Sequence, residues 1–365
     1  MDHIDEVKIP RWFERHLHIR DGVNEGDMMY TVLPYTLRQR PTGAVLMGNL
    51  EHPYETSTIE KTQAYARRVR SLIPAGCDFD PLFTCYMTDD ISPQEVVAGY
   101  KQNVWGAVKL YLADKKGKGG TTNSQHGVRD LVGRYPVLES MAEHDIPFLT
   151  HCEAPDADVD EFDREIVGLE RYIKPALKAV PGLRVVIEHV GDGRVADFVA
   201  GTGYNVRATV TIQGMKLNRN ALFQGGLCPG HWYKPVAKRE EHRLKVRQHV
   251  MSGNPRFGAG TDSAPHREGT KTRYLGCNAG IFTAFAAVEE YTQMFDEDNA
   301  LEHLGNFMSV NFVDWYGRKV SEEMMTLKRL ITNIPERICS SLTSERSTDI
   351  VVFRGGQTVL WKLVD

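Results

Sequence analysis

The chain repeats one pattern of hydrophobic and polar positions. A short, mostly apolar run ends in a polar residue and is followed by a stretch that carries helix signals. Short continuous apolar runs of this kind are typical of strands buried on both faces of a sheet. Eight runs show the pattern: HLHIR (16–20), AVLMGN (44–49), LFTCYMT (82–88), WGAVKLY (105–111), PFLTHCE (147–153), LRVVIEH (183–189), VRATVTIQ (206–213) and FGAGTD (257–262).

The segments between these runs carry signals for the start of a helix. Ser57 and Glu60 have the spacing of a capping box ahead of residues 59–73. Ser92 followed by Pro93 predicts another helix, because proline is favoured at the first helical position. Further helices are predicted at 134–144, 160–179 and 238–251. Strands that alternate with helices indicate right-handed βαβ units and a parallel sheet.

The number of strands favours one architecture in the α/β class. Eight strands fit a closed (β/α)8 TIM barrel, with an open doubly wound sheet as the alternative. Near the C-terminus, DIVVF (349–353) and TVLWKL (358–363) predict two more strands. We therefore expect residues 1–365 to form a single barrel domain, with 340–365 as a small terminal hairpin or edge addition.

Composition and charge exclude several functional classes. The formal net charge is -4, from 44 basic and 48 acidic residues, so no overall basic field favours nucleic acid or a membrane surface. No apolar run reaches the ~18 residues of a membrane span. The 6 cysteines include no CxxC pair and are typical of free thiols in a reducing compartment. A cytoplasmic protein is expected.

The 13 histidines are the more informative feature. His16 and His18 lie in the first predicted strand, where alternate side chains share a face, and Arg20 shares it if the strand continues. Two imidazoles at this spacing can bind one metal ion. An HxH pair also occurs by chance, so it establishes no metal site by itself.

Four further polar residues strengthen the case for a site. Lys109, His151, His189 and Asp262 lie at or near the ends of four other predicted strands. Each has an ordinary explanation alone: a hydrogen-bonded histidine, a solvated lysine, or an aspartate that caps a helix. In a parallel barrel, however, the carboxyl ends of all strands meet at the face that carries the active site. Together they predict a reactive centre there.

A set of ordered motifs carries a resemblance to a known family. The motifs are HLHIRDG, MGNL, VKLY, TTNSQHG, LTHCE, IEH, LNRN and GTDSAPH, which run in order between about residues 12 and 320. They resemble dihydroorotase of the amidohydrolase superfamily, in its single-function, bacterial-like type. HLHIRDG and GTDSAPH are the specific motifs, whereas IEH is short.

The resemblance implies two zinc ions per chain. His16, His18 and Asp262 would hold the more buried ion, and His151 and His189 the other. Lys109 would bridge both ions as an N-carboxylated lysine, together with a hydroxide. A neutral amine in a desolvated site can add carbon dioxide, and the resulting carbamate is an anionic oxygen ligand.

The resemblance also implies the reaction. The enzyme would interconvert N-carbamoyl-L-aspartate and L-dihydroorotate, the third step of pyrimidine synthesis. The bridging hydroxide would attack the ring carbonyl, and Asp262 would act as the general acid and base.

Substrate contacts are implied at seven further positions. Arg20, Asn49 and His266 would bind the substrate carboxylate, and the main chains of Ala279 and Lys234 would hold the ring amide. Thr121 and Thr122, in the TTNSQHG motif, would close over the substrate. The preceding DKKGKGG stretch (114–120) predicts a flexible, solvated insertion.

Two alternatives to this function stay open at the level of sequence. A hydantoinase-like cyclic amidohydrolase would use the same metals without the combination of Arg20, Asn49 and His266. An inactive barrel that serves as a scaffold for a partner enzyme would be expected to lose metal ligands, and here each ligand position is filled. The resemblance further implies a homodimer.

Overall fold

Eight parallel strands arranged as a ring form the centre of the computed structural model, which describes residues 4–26, 28–116, 119–339 and 348–365. Strand β1 (Glu6–Pro10) precedes the ring. The ring strands are β2 (Phe13–Leu17), β3 (Gly43–Leu46), β4 (Leu82–Tyr86), β5 (Ala107–Tyr111), β6 (Phe148–His151), β7 (Val185–Ile187), β8 (Val206–Val210) and β9 (Phe257–Ala259). Each strand pairs in parallel with the next.

The ring closes between its first and last strands. The main-chain N–H of Asp262 donates to His16 O at 2.9 Å, and the N–H of His18 donates to Ser263 O at 3.1 Å. Closure of this kind removes the open edges of a sheet. The predicted (β/α)8 barrel is therefore confirmed, and the open doubly wound sheet is excluded.

Helices follow the strands and cover the outside of the barrel. Their bounds are α1 (Met28–Arg38), α2 (Ile59–Ser71), α3 (Pro93–Lys101), α4 (Tyr135–Glu143), α5 (Arg164–Gly168), α6 (Lys174–Ala179), α7 (Gly193–Gly201), α8 (Ile212–Lys216), α9 (Glu240–Met251), α10 (Glu268–Lys271) and α11 (Ala287–Glu297). A π-helical turn at Leu169–Ile173 joins α5 to α6, so the single helix predicted at 160–179 is three segments.

The two predicted helix caps have different outcomes. Ser92 caps α3 as predicted, and its hydroxyl accepts the N–H of Glu95 at 3.1 Å. Helix α2 is instead capped by Thr58, whose hydroxyl accepts the N–H of Lys61 at 3.2 Å. The capping box predicted at Ser57 is wrong by one residue, because the helix begins one position later than the serine would require.

Strand β2 begins three residues before the predicted run at His16. The earlier residues Glu14 and Arg15 are charged, but both side chains are buried and hydrogen-bonded. Glu14 accepts the main-chain N–H of His16 and that of Thr261, both at 2.9 Å. The Arg15 guanidinium donates to the carbonyls of Met308 and Asn311 at the base of the barrel. Hydrogen-bond partners far away in the sequence thus allow two charged residues to lie inside β2. The charged composition of residues 14–15 did not predict that the strand extends over them.

The base of the barrel is filled by apolar side chains. Phe13, Ala107, Leu149 and Val186 belong to one buried cluster with the segment 312–316. The barrel is therefore a packed core, and reactive groups can gather only at the opposite end, where the strands finish.

The sequence predicts a small hairpin or an edge addition for the C-terminal region, and its described strands pair with earlier strands and not with one another. Strand β10 (Met324–Lys328) lies antiparallel between β1 and β15 (Lys362–Leu363). Strand β11 (Thr332–Asn333) pairs with β14 (Thr358–Val359), and β12 (Arg337–Ile338) pairs with β13 (Ile350–Val351). The C-terminal strands β13, β14 and β15 therefore add to the edges of strands that lie between residues 324 and 338. Residues 340–347 of the predicted addition and 117–118 of the predicted insertion lie outside the described residues.

Within the described part of the chain, none of the helices is both long enough and apolar enough to cross a membrane.

Candidate metal centre and active site

Three side chains meet where β2 and β9 end. Asp262 Oδ1 lies 3.0 Å from Nε2 of His18 and 3.4 Å from Nε2 of His16. All three side chains are buried, and their ligand atoms lie within 4.8 Å of one another. Two imidazoles and one carboxylate at this spacing can share one divalent cation.

A second pair of histidines stands beside this group. His151 ends β6 and His189 follows β7, and Nδ1 of His151 lies 3.0 Å from Nε2 of His189. The ring centroid of His189 is 5.0 Å from that of His16, so the two groups adjoin. The arrangement offers two neighbouring cation sites, with imidazole nitrogens from different strands in each.

Two buried carboxylates that the sequence interpretation missed orient these rings. Glu188 Oε2 accepts a hydrogen bond from His16 Nδ1 at 2.6 Å, and Glu153 Oε2 accepts one from His151 Nε2 at 2.8 Å. An ionised carboxylate only accepts, so the hydrogen of each ring lies on that nitrogen and the other nitrogen keeps its lone pair. The signal was present in the sequence, since Glu188 adjoins His189 and Glu153 lies two residues after His151.

Lys109 lies inside β5 with its side chain fully buried. Its amine nitrogen has no hydrogen-bond partner among the described residues and lies 5.0 Å from the centroid of the Tyr111 ring. Burial lowers the pKa of this amine to about 8, against the opposing charges of Glu188 and Asp262. A buried polar atom without a partner is costly, so the position suits an amine that acquires a further group.

Burial favours the metal-binding form of three of the candidate histidines, His18, His151 and His189. Burial lowers the pKa of His18 to about 3, lowers the pKa of His151, and holds the pKa of His189 well below its usual value. Neutral imidazole is the metal-binding form. Burial by itself would raise the pKa of Asp262, but the hydrogen bond from His18 and the neighbouring imidazole rings outweigh it and lower that pKa.

Two of the candidate ligands have a strained main chain. His189 and Asp262 have φ angles of 46° and 44°, in the left-handed region that non-glycine residues rarely adopt. Such a residue costs on the order of 1–3 kcal/mol and persists only where its surroundings hold it. His189 N–H donates to Thr209 Oγ1 at 2.7 Å, and the Thr209 hydroxyl donates to Glu188. This chain of hydrogen bonds links β7, β8 and β2.

A buried guanidinium, that of Arg20, lies beside the candidate metal ligands. Arg20 is buried, and its Nη2 lies 3.2 Å from Nε2 of His266, which lies 2.9 Å from the carbonyl oxygen of Ala279. Arg20 Nε also donates to Pro265 O at 3.3 Å. The guanidinium is thus held in place by the segment that follows Asp262. A planar cation in a fixed position suits a carboxylate ligand.

The loop that carries Thr121 and Thr122 lies across the mouth of the site. Thr122 Oγ1 donates to Ala279 O at 3.3 Å, and Asn49 Nδ2 donates to Thr122 O at 3.0 Å. Tyr111, which the sequence interpretation did not single out, donates its hydroxyl hydrogen to Asn49 Oδ1 at 2.8 Å. Thr121 lines the same cavity, whose volume is only about 20 Å³ with the loop in this position. The loop therefore covers the cavity in this conformation.

Lys234 lines this cavity as well. Its side chain forms an ion pair with Glu161, and its amine lies 3.9 Å from Glu153 Oε2. The structure thus brings the thirteen residues singled out in the sequence to one end of the barrel. It adds Glu153, Glu188 and Tyr111 as their immediate partners.

Several known proteins that match nearly the whole chain are dihydroorotases. No protein-family model matches the chain. The dihydroorotase of Sphingopyxis alaskensis is 42% identical over 360 residues, which cover 99% of each protein. The dihydroorotase of Escherichia fergusonii is 38% identical over 357 residues, which cover 98% of this chain and 97% of the relative.

Solved structures agree in fold over the whole chain. The Saccharomyces cerevisiae dihydroorotase in complex with 5-fluoroorotic acid matches with a TM-score of 0.86 and 26% identity, covering 99% of each chain. The Campylobacter jejuni dihydroorotase matches with a TM-score of 0.84 and 25% identity, covering 100% of this chain and 99% of that one. The L-hydantoinase of Arthrobacter aurescens, with a TM-score of 0.78 and 12% identity over 98% of this chain and 83% of that one, shares the fold alone.

Proposed function

The chain belongs to the dihydroorotase family, whose enzymes catalyse the reversible hydrolysis of a cyclic amide in pyrimidine synthesis, and on that premise we propose its substrate, metals and mechanism. It interconverts N-carbamoyl-L-aspartate and L-dihydroorotate, with two zinc ions at the carboxyl end of the barrel. The observation that carries the proposal is the buried amine of Lys109 without a partner, beside four histidines and Asp262.

The donor atoms of this chain fit two metal ions. His16 Nε2, His18 Nε2 and Asp262 Oδ1 would hold one ion, and His151 Nδ1 and His189 Nε2 the other. Lys109, carboxylated on its amine, would supply the oxygen ligands between them. The hydrogen bonds from His16 to Glu188 and from His151 to Glu153 support this assignment, because they leave the inward nitrogens free to bind.

When bound, such a metal pair supplies carbonyl polarisation and a water of lowered pKa. The other roles fall to side chains. Asp262 accepts a proton from the attacking water and passes it to the ring nitrogen as the C–N bond breaks. Its lowered pKa keeps the carboxylate ionised, as a base must be.

Arg20, Asn49 and His266 bind the substrate carboxylate. The yeast relative was solved in complex with 5-fluoroorotic acid, a pyrimidine ring with a carboxylate. Arg20 and His266 lie side by side, where they can bind a carboxylate of this kind. The main chains of Ala279 and Lys234 hold the ring amide. Thr121 and Thr122 close over the substrate and exclude water from the reacting bonds.

Turnover of the two candidate substrate classes tests the proposal. The purified protein, loaded with zinc, is given L-dihydroorotate, N-carbamoyl-L-aspartate or hydantoin, with Asp262→Asn as the control for general acid–base catalysis. We expect conversion in both directions between the first two compounds, and a fall in kcat of roughly 10²–10⁴-fold in the control. Turnover of hydantoin alone would indicate a hydantoinase-like enzyme. Fewer than one zinc per chain in the protein as purified, before zinc is added, together with no turnover, would indicate a scaffold.

A cytoplasmic location and a homodimer stay predictions. Light scattering of the purified protein measures its mass in solution, and a mass near 41.2 kDa would contradict the homodimer.

A further inference from the structure

Lys271 ends the short helix α10, and its side chain is buried although it carries an amine. The amine nitrogen donates three hydrogen bonds, each to a main-chain carbonyl. The acceptors are Trp232 O at 2.8 Å, Gly280 O at 2.9 Å and Asn278 O at 3.1 Å. A neutral amine has only two hydrogens to donate, so three acceptors around one nitrogen call for the ammonium form.

These three carbonyls belong to the two segments that border the substrate cavity. Asn278 and Gly280 flank Ala279, whose carbonyl oxygen contacts His266 Nε2 and accepts the hydroxyl of Thr122. Trp232 lies two residues before Lys234 and also accepts the main-chain N–H of Gly280 at 2.9 Å. The ammonium therefore joins the two segments to each other and to the helix that follows the Asp262 loop.

In the described part of the chain, no other side chain donates a hydrogen bond to any of these three carbonyls. Among those residues, no carboxylate forms an ion pair with Lys271, and its amine bonds only to the three carbonyls. If the amine were removed, the carbonyls of Asn278 and Gly280 would lose the only donor that the described residues show for them, and the carbonyl of Trp232 would keep only the N–H of Gly280. Buried carbonyls without donors are costly, and the segment would shift to find new partners. The groups of Ala279 that face the substrate would shift with it.

We propose that Lys271 is a positioning residue for substrate recognition, which holds Ala279 and Gly280 where the pyrimidine ring and its carboxylate bind. It touches none of the candidate metal ligands, so it acts on substrate affinity and leaves the chemical step largely intact. This inference rests on the proposed dihydroorotase activity.

The ratio of effects on KM and kcat tests the proposal. Lys271→Met keeps a long side chain but removes all three donors. We expect its KM for L-dihydroorotate to rise at least about ten-fold, as for loss of charged hydrogen bonds, with kcat changed less than about three-fold. Lys216→Met is the matched control: Lys216 is also largely buried, pairs with Glu290 and lies on α8 outside the cavity lining. We expect that control to lower thermal stability and to leave KM unchanged.

Rescue of substrate binding by a small amine distinguishes a positioning role of Lys271 from a role in the stability of the whole fold. Lys271→Ala leaves space for an alkylammonium ion, so added ethylammonium should lower its KM toward the wild-type value and leave the wild-type enzyme unaffected. An unchanged KM in Lys271→Met, or a fall in kcat without a rise in KM, would overturn the proposal. Loss of the folded state in both variants would also overturn it, because Lys271 would then be a determinant of the fold. A wild-type enzyme inactive on both substrates would instead defeat the proposed function.

Discussion

Individual side chains at this site depend on partners that lie far away in the sequence. Glu188 illustrates this, because it accepts hydrogen bonds from His16, 172 residues earlier, and from the Thr209 hydroxyl. Its carboxylate fixes the hydrogen of the His16 ring and so decides which nitrogen faces the site. A histidine in the correct position is therefore a good ligand only when its second nitrogen is also bound.

Replacing Glu188 should weaken metal binding. Glu188→Gln keeps the size of the side chain but removes the charge that orients His16, so we expect zinc affinity to fall roughly 10–100-fold. Competition with a chromogenic chelator measures that affinity. Glu289→Gln is a suitable control, because Glu289 is a buried acid on α11, outside the site. Equal zinc affinity in the Glu188 variant and the wild type would contradict the role assigned to this carboxylate.

Removing the amine of Lys109 should nearly abolish turnover. Lys109→Ala loses the proposed bridge between the ions, and a loss of several kcal/mol of transition-state stabilisation corresponds to a fall in kcat on the order of a thousand-fold. Acetate or propionate can occupy the vacated space, so either acid should restore part of the activity. The same acids added to the wild-type enzyme serve as the control. Near-normal activity in the variant would show that Lys109 is not a ligand.

At the level of elements, strands and helix caps set the positions from which these side chains act. Helix α2 follows the strand that leads to Asn49, and its first turn is fixed by Thr58. The neighbouring Ser57 has no side-chain hydrogen bond among the described residues. Sequence spacing alone favoured the serine, whereas the folded main chain places the threonine hydroxyl over the first turn.

A pair of substitutions separates these two caps. Thr58→Ala should lower the free energy of unfolding by about 1 kcal/mol, the usual cost of losing a cap. Ser57→Ala, the matched control, should change it by less than about 0.5 kcal/mol, as is typical of surface substitutions. Urea denaturation followed by circular dichroism measures both. A larger change in the free energy of unfolding for Ser57→Ala than for Thr58→Ala would support the capping box predicted from the sequence.

At the level of the whole molecule, the candidate metal ligands span most of the chain. His16 comes from the first barrel strand and Asp262 follows the last, and the two meet only because the ring closes. An unfolded chain cannot offer this set of ligands together. Metal binding is therefore coupled to folding, since a ligand that binds only the folded state stabilises it.

Removing the metal should lower the melting temperature. At a free zinc concentration of about 1,000 times Kd, each independent site adds about 4 kcal/mol to the stability of the folded state. We expect a chelator to lower Tm of the wild type in differential scanning calorimetry, and to do so less in Lys109→Ala. Readdition of zinc should restore the original value. Identical Tm values with and without chelator would show that the folded protein binds no metal under those conditions.

Much of the architecture follows from the sequence alone. Apolar runs that alternate with helix signals specify parallel strands, and eight of them specify a closed barrel. Each run ends in a polar residue, and parallel strands bring their carboxyl ends to one face. The approximate position of His16, His18, Lys109, His151 and Asp262 is therefore a local property of the chain, repeated strand by strand.

Other features were decided only by the tertiary structure. The start of β2 at Phe13 depends on distant carbonyls that satisfy Arg15. The late strands β13, β14 and β15 pair with residues 324–338 and not with one another. The orientation of the His16 ring and the bond from Lys271 to Trp232 O depend on contacts between segments far apart in the chain. The local sequence pattern determines which face of a strand a residue occupies. A hydrogen bond to a residue on another strand of the barrel can form only after the ring of strands has closed.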